Sequence, residues 1–241
     1  MSSRRSTTPS RGNPVTVAIV AGIVLVIVAG AVAVYYANRD TGSAPAGLTA
    51  DGGYVYSAQT LGKTVPAAVQ TVPVIVYEDF QCPVCKGFEG TVGGYLTAQA
   101  QEGGLAVEYR PIAILNRLST TDYSTRSAAA AACVFESGGI AAFKAFHDLL
   151  YANQPSEGSP GLPDSQLSDL AGQAGASGAG ACISSTKYES YVNSYTTSTA
   201  KAGTSSTPTV VIGGKPVTGP SGSSPGLQDV ISAVAAARSG Q

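Results

Sequence analysis

The apolar and polar positions of the chain fall into blocks of different period. Residues 15–36 form a run of 22 residues without a charge. As a helix this run extends about 33 Å, enough to cross a hydrocarbon core of about 30 Å. Pro14 stands where a first turn accepts proline, and Tyr35 and Tyr36 close the run where aromatic rings favour the headgroup layer. Residues 38–53 (NRDTGSAPAGLTADGG) are small, polar and punctuated by Pro and Gly, the composition of a flexible tether. The first strong strand signal is the β-branched run at 72–77 (VPVIVY), which leads through Glu78, Asp79, Phe80 and Gln81 to Cys82-Pro83-Val84-Cys85. Pro83 suits a first helical turn, so a helix is predicted to begin at the cysteines. Residues 105–109 (LAVEY) alternate as a second strand. Strand, helix and strand in this order predict a βαβ unit with a buried parallel pair.

The middle of the chain is helical in pattern. Residues 127–135 are rich in Ala, and Ile140, Phe143, Phe146, His147 and Leu150 recur at helical spacing. Lys144 and Asp148 are set for an i,i+4 pair on another face. Residues 163–167 (PDSQL) read as a helix start, and 182–202 as one or two further helices. Strand character returns at 209–212 (TVVI), and Gly213-Gly214 turns it into 215–217 as a hairpin. Residues 227–237 are an amphipathic terminal helix. The chain is therefore read as α/β: a β-α-β half, a helical insertion at about 115–202, and a β-β-α half.

Charge adds an orientation. Charged residues make up only 12% of the 241 positions, against about 25% in ordinary domains. Arg4, Arg5 and Arg11 give the first 13 residues a balance of +3, while the rest carries 11 bases against 15 acids. A basic tip before an apolar run places the N-terminus in the cytoplasm and the residues from about 38 onward outside. The competing reading is a cleaved signal peptide, whose apolar core is normally shorter, about 7–15 residues. Both readings export the same domain. A basic tip on an acidic body argues against general nucleic-acid binding. A single His excludes sites built on several imidazoles, including most catalytic zinc sites.

Four Cys in an exported chain allow three pairings. Cys82 and Cys85 share one strand-to-helix junction and behave as a unit. A thiol at a helix N-terminus meets unpaired backbone N–H groups and the positive end of the dipole, which lower its pKa. Cys82 is read as the exposed, attacking thiol and Cys85 as the shielded one that acts second. Half a zinc site completed by Cys133 and Cys182 is the weaker alternative, because those two lack a second C-x-x-C; an inert Cys82–Cys85 disulfide is weaker still. Cys133 and Cys182 read as a second pair whose loop of about 50 residues stabilises the fold by roughly 4 kcal/mol.

These motifs resemble the DsbA-like branch of the thioredoxin-fold disulfide oxidoreductases. The resemblance is carried by 74–86 (VIVYEDFQCPVCK), by 128–136 with 143–154, and by 203–214 (GTSSTPTVVIGG), and it covers about residues 52–240. It implies a thioredoxin fold with a helical insertion, preceded here by a single transmembrane helix. The domain map it supports is a cytoplasmic tip at 1–14, a membrane helix at 15–36, a linker at 37–53 and the DsbA-like domain at 54–240. It also implies that Pro208 is cis and lies against Cys82, with the Thr207 backbone facing a substrate groove, and that Pro83 and Val84 support the site. The chain departs from the family pattern in two places. Val84 stands where the most oxidising members have His, and Val76 stands where many thioredoxin-fold proteins place a buried carboxylate. Glu78 or Asp79 is then the candidate for proton handling at Cys85, against the blander reading of solvated residues at a strand end. His147, on the apolar stripe, is read as structural.

The implied function is an extracytoplasmic thiol:disulfide oxidoreductase forming disulfides in exported proteins. It needs no metal or organic cofactor. Its implied partners are exported proteins with free thiols and a quinone-linked membrane protein of the DsbB or VKOR-like type. The alternatives are a reductase or isomerase kept reduced by a membrane donor, motivated by Pro-Val, and a non-catalytic module holding extended peptides beside Pro208.

Overall fold

The computed structural model describes residues 42–240, so the basic tip and the apolar run at 15–36 lie outside the described residues. The frame is a five-stranded sheet in the order β1-β3-β2-β4-β5, formed by β1 (Tyr54–Ser57), β2 (Val72–Glu78), β3 (Leu105–Pro111), β4 (Thr209–Ile212) and β5 (Lys215–Val217). β2 and β3 are parallel, with Val74 opposite Val107 and Val76 opposite Tyr109. The other neighbours are antiparallel. Val72, Val74 and Val76 of β2, and Leu105, Val107 and Tyr109 of β3, are all buried. This period of two puts one continuous apolar face against the helices. Gly213 and Gly214 make the β4–β5 turn with φ of 57° and 79°, the left-handed pair that a two-residue hairpin needs.

The β2–β3 crossover is α1 (Pro83–Phe88), a π-helical turn (Glu89–Gly93) and α2 (Gly94–Gln101). The insertion is built on α3 (Tyr123–Ala152), with α4 (Asp164–Gln173), α5 (Gly180–Ser184) and α6 (Glu189–Lys201) packed around it. α3 is interrupted at Gly139, which has φ 70° and ψ −166°, a conformation essentially restricted to glycine. The Ala-rich half and the aromatic half of α3 therefore meet at a kink. Ala128 to Ala132 are buried, as are Phe143, Phe146, His147 and Leu150. α3 is long and apolar enough to cross a membrane, but 61% of its most apolar window is buried within the domain, which marks it as the core helix of the insertion. A disulfide joins Cys133 of α3 to Cys182 of α5 across 49 positions. α7 (Leu227–Arg238) seats Val230 and Val234 in the core beside β4.

Two features differ from the pattern reading. The edge strand β1 was not expected, because four residues (YVYS) directly after a Gly-rich stretch give too short a run to signal a strand; it is held by β3 and by Tyr54 stacking on Phe143 at 4.1 Å. Residues 42–53 read as tether, yet they pack on the domain. Pro45 is buried, the Thr49 hydroxyl donates to Glu108 at 2.6 Å, and Asp51 pairs with Arg110 at 3.1 Å. The Arg110 guanidinium, buried with Glu108 and Tyr77 on its other donors, supplies the partner that composition alone does not reveal.

Candidate active site

At the end of β2 the chain turns sharply into α1. Asp79 holds the turn: its Oδ1 accepts from the Gln81 N–H at 2.9 Å and its Oδ2 from the Leu115 N–H at 3.0 Å. Cys82 follows as the residue capping α1, extended at φ −74° and ψ 117°, and Pro83 supplies the preset φ of the first turn. Gln154, just past α3, donates from Nε2 to the carbonyls of Phe80 (3.0 Å) and Cys82 (2.9 Å), tying the insertion to the cysteine turn. On the other side lies the loop before β4, where the Thr207–Pro208 peptide is cis. The Cys82 thiol donates to the Thr207 carbonyl at 3.5 Å. Segments more than 100 positions apart thus converge on one sulfur.

Both active-site thiols are free and buried, Cys82 with 5% and Cys85 with 1% of its surface exposed. This corrects the reading of Cys82 as exposed: the Thr207–Pro208 loop sits over it. The apolar surface beside the sulfur belongs instead to Val84, 54% exposed, with Pro83 also outside. The two thiols are nonetheless electrostatically unequal. The hydrogen bond from the Cys85 thiol is the largest influence holding Cys82 down at about 6; burial opposes it, and the Thr207 hydroxyl and the N–H groups of Cys85 and Val84 assist. Cys85 is pushed well up, by burial first and then by the neighbouring Cys82 sulfur. One thiol is set to attack or leave as thiolate, the other to hold its proton.

The carboxylates are not solvated. Glu78 and Asp79 are both fully buried, which replaces the blander reading of residues at a strand end. Their shielding comes from α3, which the local sequence around β2 does not announce. Burial raises Asp79 to about 6 against the pull of its hydrogen bonds. Glu78 lies against His147, whose Nε2 is 2.9 Å from Oε1 and 3.1 Å from Oε2, and its Oε2 accepts from the Tyr151 hydroxyl at 3.1 Å. His147 Nδ1 lies 3.0 Å from Asp148 Oδ1, which also takes Lys144 Nζ at 2.5 Å. Burial disfavours the imidazolium, but Glu78, Asp148 and Glu89 outweigh it and raise His147 to about 9. The histidine is fully buried with both ring nitrogens engaged, as its place on the apolar stripe implied. Glu89 was missed by the sequence reading. It stands four residues after Cys85, so its place on the inner face of the active-site helix was readable from helical spacing. Burial raises it to about 7.

The depressed Cys82 gives a pH dependence with a defined sign. A folded-state value of about 6 below the free-thiol value of about 8.5 stabilises the reduced protein once pH exceeds the free value; that gain is lost as pH falls through the folded value. Alkylation of Cys82 in the reduced protein by iodoacetamide is expected to rise with a midpoint near pH 6. A midpoint above about 8, that of an ordinary thiol, contradicts this geometry.

Comparison with known proteins agrees with this arrangement. A family model described as thioredoxin matches residues 66–232. Reduced DsbA from Mycobacterium tuberculosis is 30% identical, with a TM-score of 0.60 over 77% of this chain and 98% of that one. The reduced disulfide bond oxidoreductase DsbG of the same organism is also 30% identical, with a TM-score of 0.61 over 83% and 98%. MdbA from Corynebacterium diphtheriae, a thiol-disulfide oxidoreductase, is 25% identical, with a TM-score of 0.59 over 76% and 93%. Among curated proteins compared by sequence, none matches significantly. With the fold, the family match and a 30% identical relative spanned almost in full, the chain belongs to the DsbA-like thiol:disulfide oxidoreductases of the thioredoxin superfamily.

Proposed function

We propose that this oxidoreductase works outside the cytoplasm as a disulfide oxidase for exported proteins, with Cys82 as the exchanging sulfur and Cys85 as its partner. The observation that carries the reading is the inequality of the two thiols, Cys82 held low and Cys85 held high. Stabilising one thiolate favours the reduced enzyme, and a favoured reduced form makes the disulfide form an oxidant.

In the forward reaction a substrate thiolate attacks Cys82 of the Cys82–Cys85 disulfide. A substrate–Cys82 bond forms, the Cys82–Cys85 bond breaks, and Cys85 leaves and takes a proton, as its raised pKa favours. A second substrate thiolate then attacks the mixed disulfide and releases Cys82 as thiolate. Two electrons have passed from substrate to enzyme. Thr207, whose carbonyl already meets the Cys82 thiol, would pair with an extended substrate segment, while Pro208 beside it adds no competing N–H. Val84 offers the substrate an apolar contact, and Pro83 sets the first turn that aims the sulfur. Glu78 and Asp79, buried beside the dithiol, are the candidates for exchanging the Cys85 proton. Cys133–Cys182 staples the insertion and takes no part in exchange.

Reoxidation requires an electron acceptor, for which a quinone-linked membrane protein of the DsbB or VKOR-like type is the proposed partner. Residues 15–36 as a single-pass anchor would hold the domain at a high effective concentration near such a partner. One observation favours the reverse direction. The Val84 side chain contributes no donor or positive charge beside Cys82, which is left with the backbone N–H groups and the Cys85 and Thr207 side chains. The deciding experiment is oxidative refolding of a reduced, unfolded secreted protein by the full-length chain carrying its Cys82–Cys85 disulfide. Stoichiometric transfer of the disulfide is the expected outcome; reduction of insulin without any such transfer overturns the reading.

A further inference from the structure

The redox reading uses Glu78 only as a candidate for proton exchange and gives Glu89 and His147 no role. Beneath the active-site helix, Glu78 from β2, Glu89 from the π-helical turn and His147 from α3 each present a ligand atom, and the three atoms lie within 4.8 Å of one another. From this juxtaposition we infer that the protein holds one divalent transition-metal ion on Glu78, Glu89 and His147, next to the Cys82–Cys85 dithiol.

Four features of the structure converge on this reading. The donor set is one imidazole nitrogen and two carboxylates, which suits zinc or a neighbouring first-row metal and not calcium, which takes six to eight oxygens. The two carboxylates balance the charge of a divalent ion. The imidazole is already oriented as a ligand: its Nδ1 is engaged by Asp148 at 3.0 Å, leaving Nε2 directed at the carboxylates. A carboxylate on the far ring nitrogen is the support that metal-bound histidines carry almost without exception. Asp148 is itself held by Lys144, and Glu78 by the Tyr151 hydroxyl, so two of the three ligands, His147 and Glu78, have outer partners in place.

The independent sign of a missing ligand is Glu89. Its Oε1 is buried and has no hydrogen-bond partner, an arrangement disfavoured for a buried polar atom unless something compensates it. Glu78 Oε1 is likewise buried without a hydrogen bond, making only its 2.9 Å ion-pair contact with His147. An ion bound by both carboxylates gives each of these under-partnered groups a cation to coordinate. Zinc–ligand distances of about 2.1 Å put tetrahedral ligand atoms about 3.4 Å apart, so the widest donor spacing must close by little over an ångström at most, while His147 Nε2 and Glu78 Oε1, now 2.9 Å apart, open by about half of one. The route in is also present. A cleft of about 580 Å³ between the α1–α2 segment and α3 is lined by Glu89, Lys144, Asp148 and Tyr151, so the site is reached from the Glu89 side.

The test must separate this site from the dithiol, which can bind zinc by itself. The full-length chain is prepared with Cys82→Ser and Cys85→Ser, so that the other two cysteines remain in their disulfide and no free thiol competes; the result is then independent of the redox reading. Zinc chloride is titrated into this protein and followed by calorimetry, with cobalt chloride as a spectroscopic probe. The expected result is one zinc per chain, with cobalt absorption of nitrogen and oxygen ligation. On the same background Glu89→Gln, which keeps size and shape, should weaken binding at least 100-fold, and Asp148→Asn about 10–100-fold. The melting temperatures of the metal-free variants check that they fold. Absence of a stoichiometric site, or zinc bound equally well by folded Glu89→Gln and His147→Gln variants, overturns the inference.

Discussion

Replacing Cys82 by Ser is expected to reduce disulfide transfer to the uncatalysed rate, the largest functional effect of any substitution in the protein. Cys82 is the sulfur met by the Thr207 carbonyl, and it is the one whose thiolate is stabilised. Ser has no comparable acidity and forms no disulfide, so neither the oxidised state nor the mixed disulfide exists without the thiol. Cys85→Ser should behave differently. The attacking sulfur remains, but its buried partner cannot return to displace a bound substrate, so mixed disulfides with Cys82 accumulate. Non-reducing electrophoresis of the two variants after incubation with an oxidised protein substrate separates these outcomes. Wild-type transfer by Cys82→Ser contradicts the assignment.

The largest stability effect is expected at the other pair. Removing the Cys133–Cys182 bond with a double Ala substitution frees a loop of 49 positions, worth about 4 kcal/mol in the chain-entropy account. For a domain of this size the melting temperature should fall by roughly 10 °C. The bond joins the Ala-rich half of α3 to the short α5, and a helix of five residues has little stability of its own. The loss should therefore concentrate in the insertion. Denaturant unfolding of the double variant against the native protein measures it, and an unchanged midpoint contradicts a stapling role. Cys82 alkylation should keep its pH midpoint in this variant, because neither Cys133 nor Cys182 is among the groups that set the Cys82 thiolate.

How far the residues themselves announce this architecture differs from place to place. The β2 and β3 runs, the helix start at Pro83, the Gly213-Gly214 hairpin and the terminal helix were all readable, because each is a local pattern of period or turn chemistry. The kink at Gly139 was not, since a glycine inside an apolar helical pattern does not declare its backbone angles. β1 and the packing of residues 42–53 depend on partners far along the chain, Glu108 and Arg110, and no local signal marks that debt. At the site, Cys82, Cys85, Thr207 and Pro208 were placed by motif. The surroundings of Glu78 and Asp79 were not, because burial there is supplied by His147 and Tyr151 some 70 positions later. Glu89 is the instructive omission: spacing from Cys85 placed it on the correct face, but an acidic residue in a short helix reads as solvent-exposed until α3 is laid across it.

The direction of electron flow is the central claim, and the reduction potential of the Cys82–Cys85 pair tests it most directly. Equilibration of the full-length chain with glutathione buffers at pH 7, read by alkylation and mass, gives the value. The oxidase reading predicts a potential nearer −120 mV than the −270 mV of thioredoxin, in the direction that a Cys82 thiol held down at about 6 favours. A value near −270 mV contradicts the oxidase and assigns the site to a reductase.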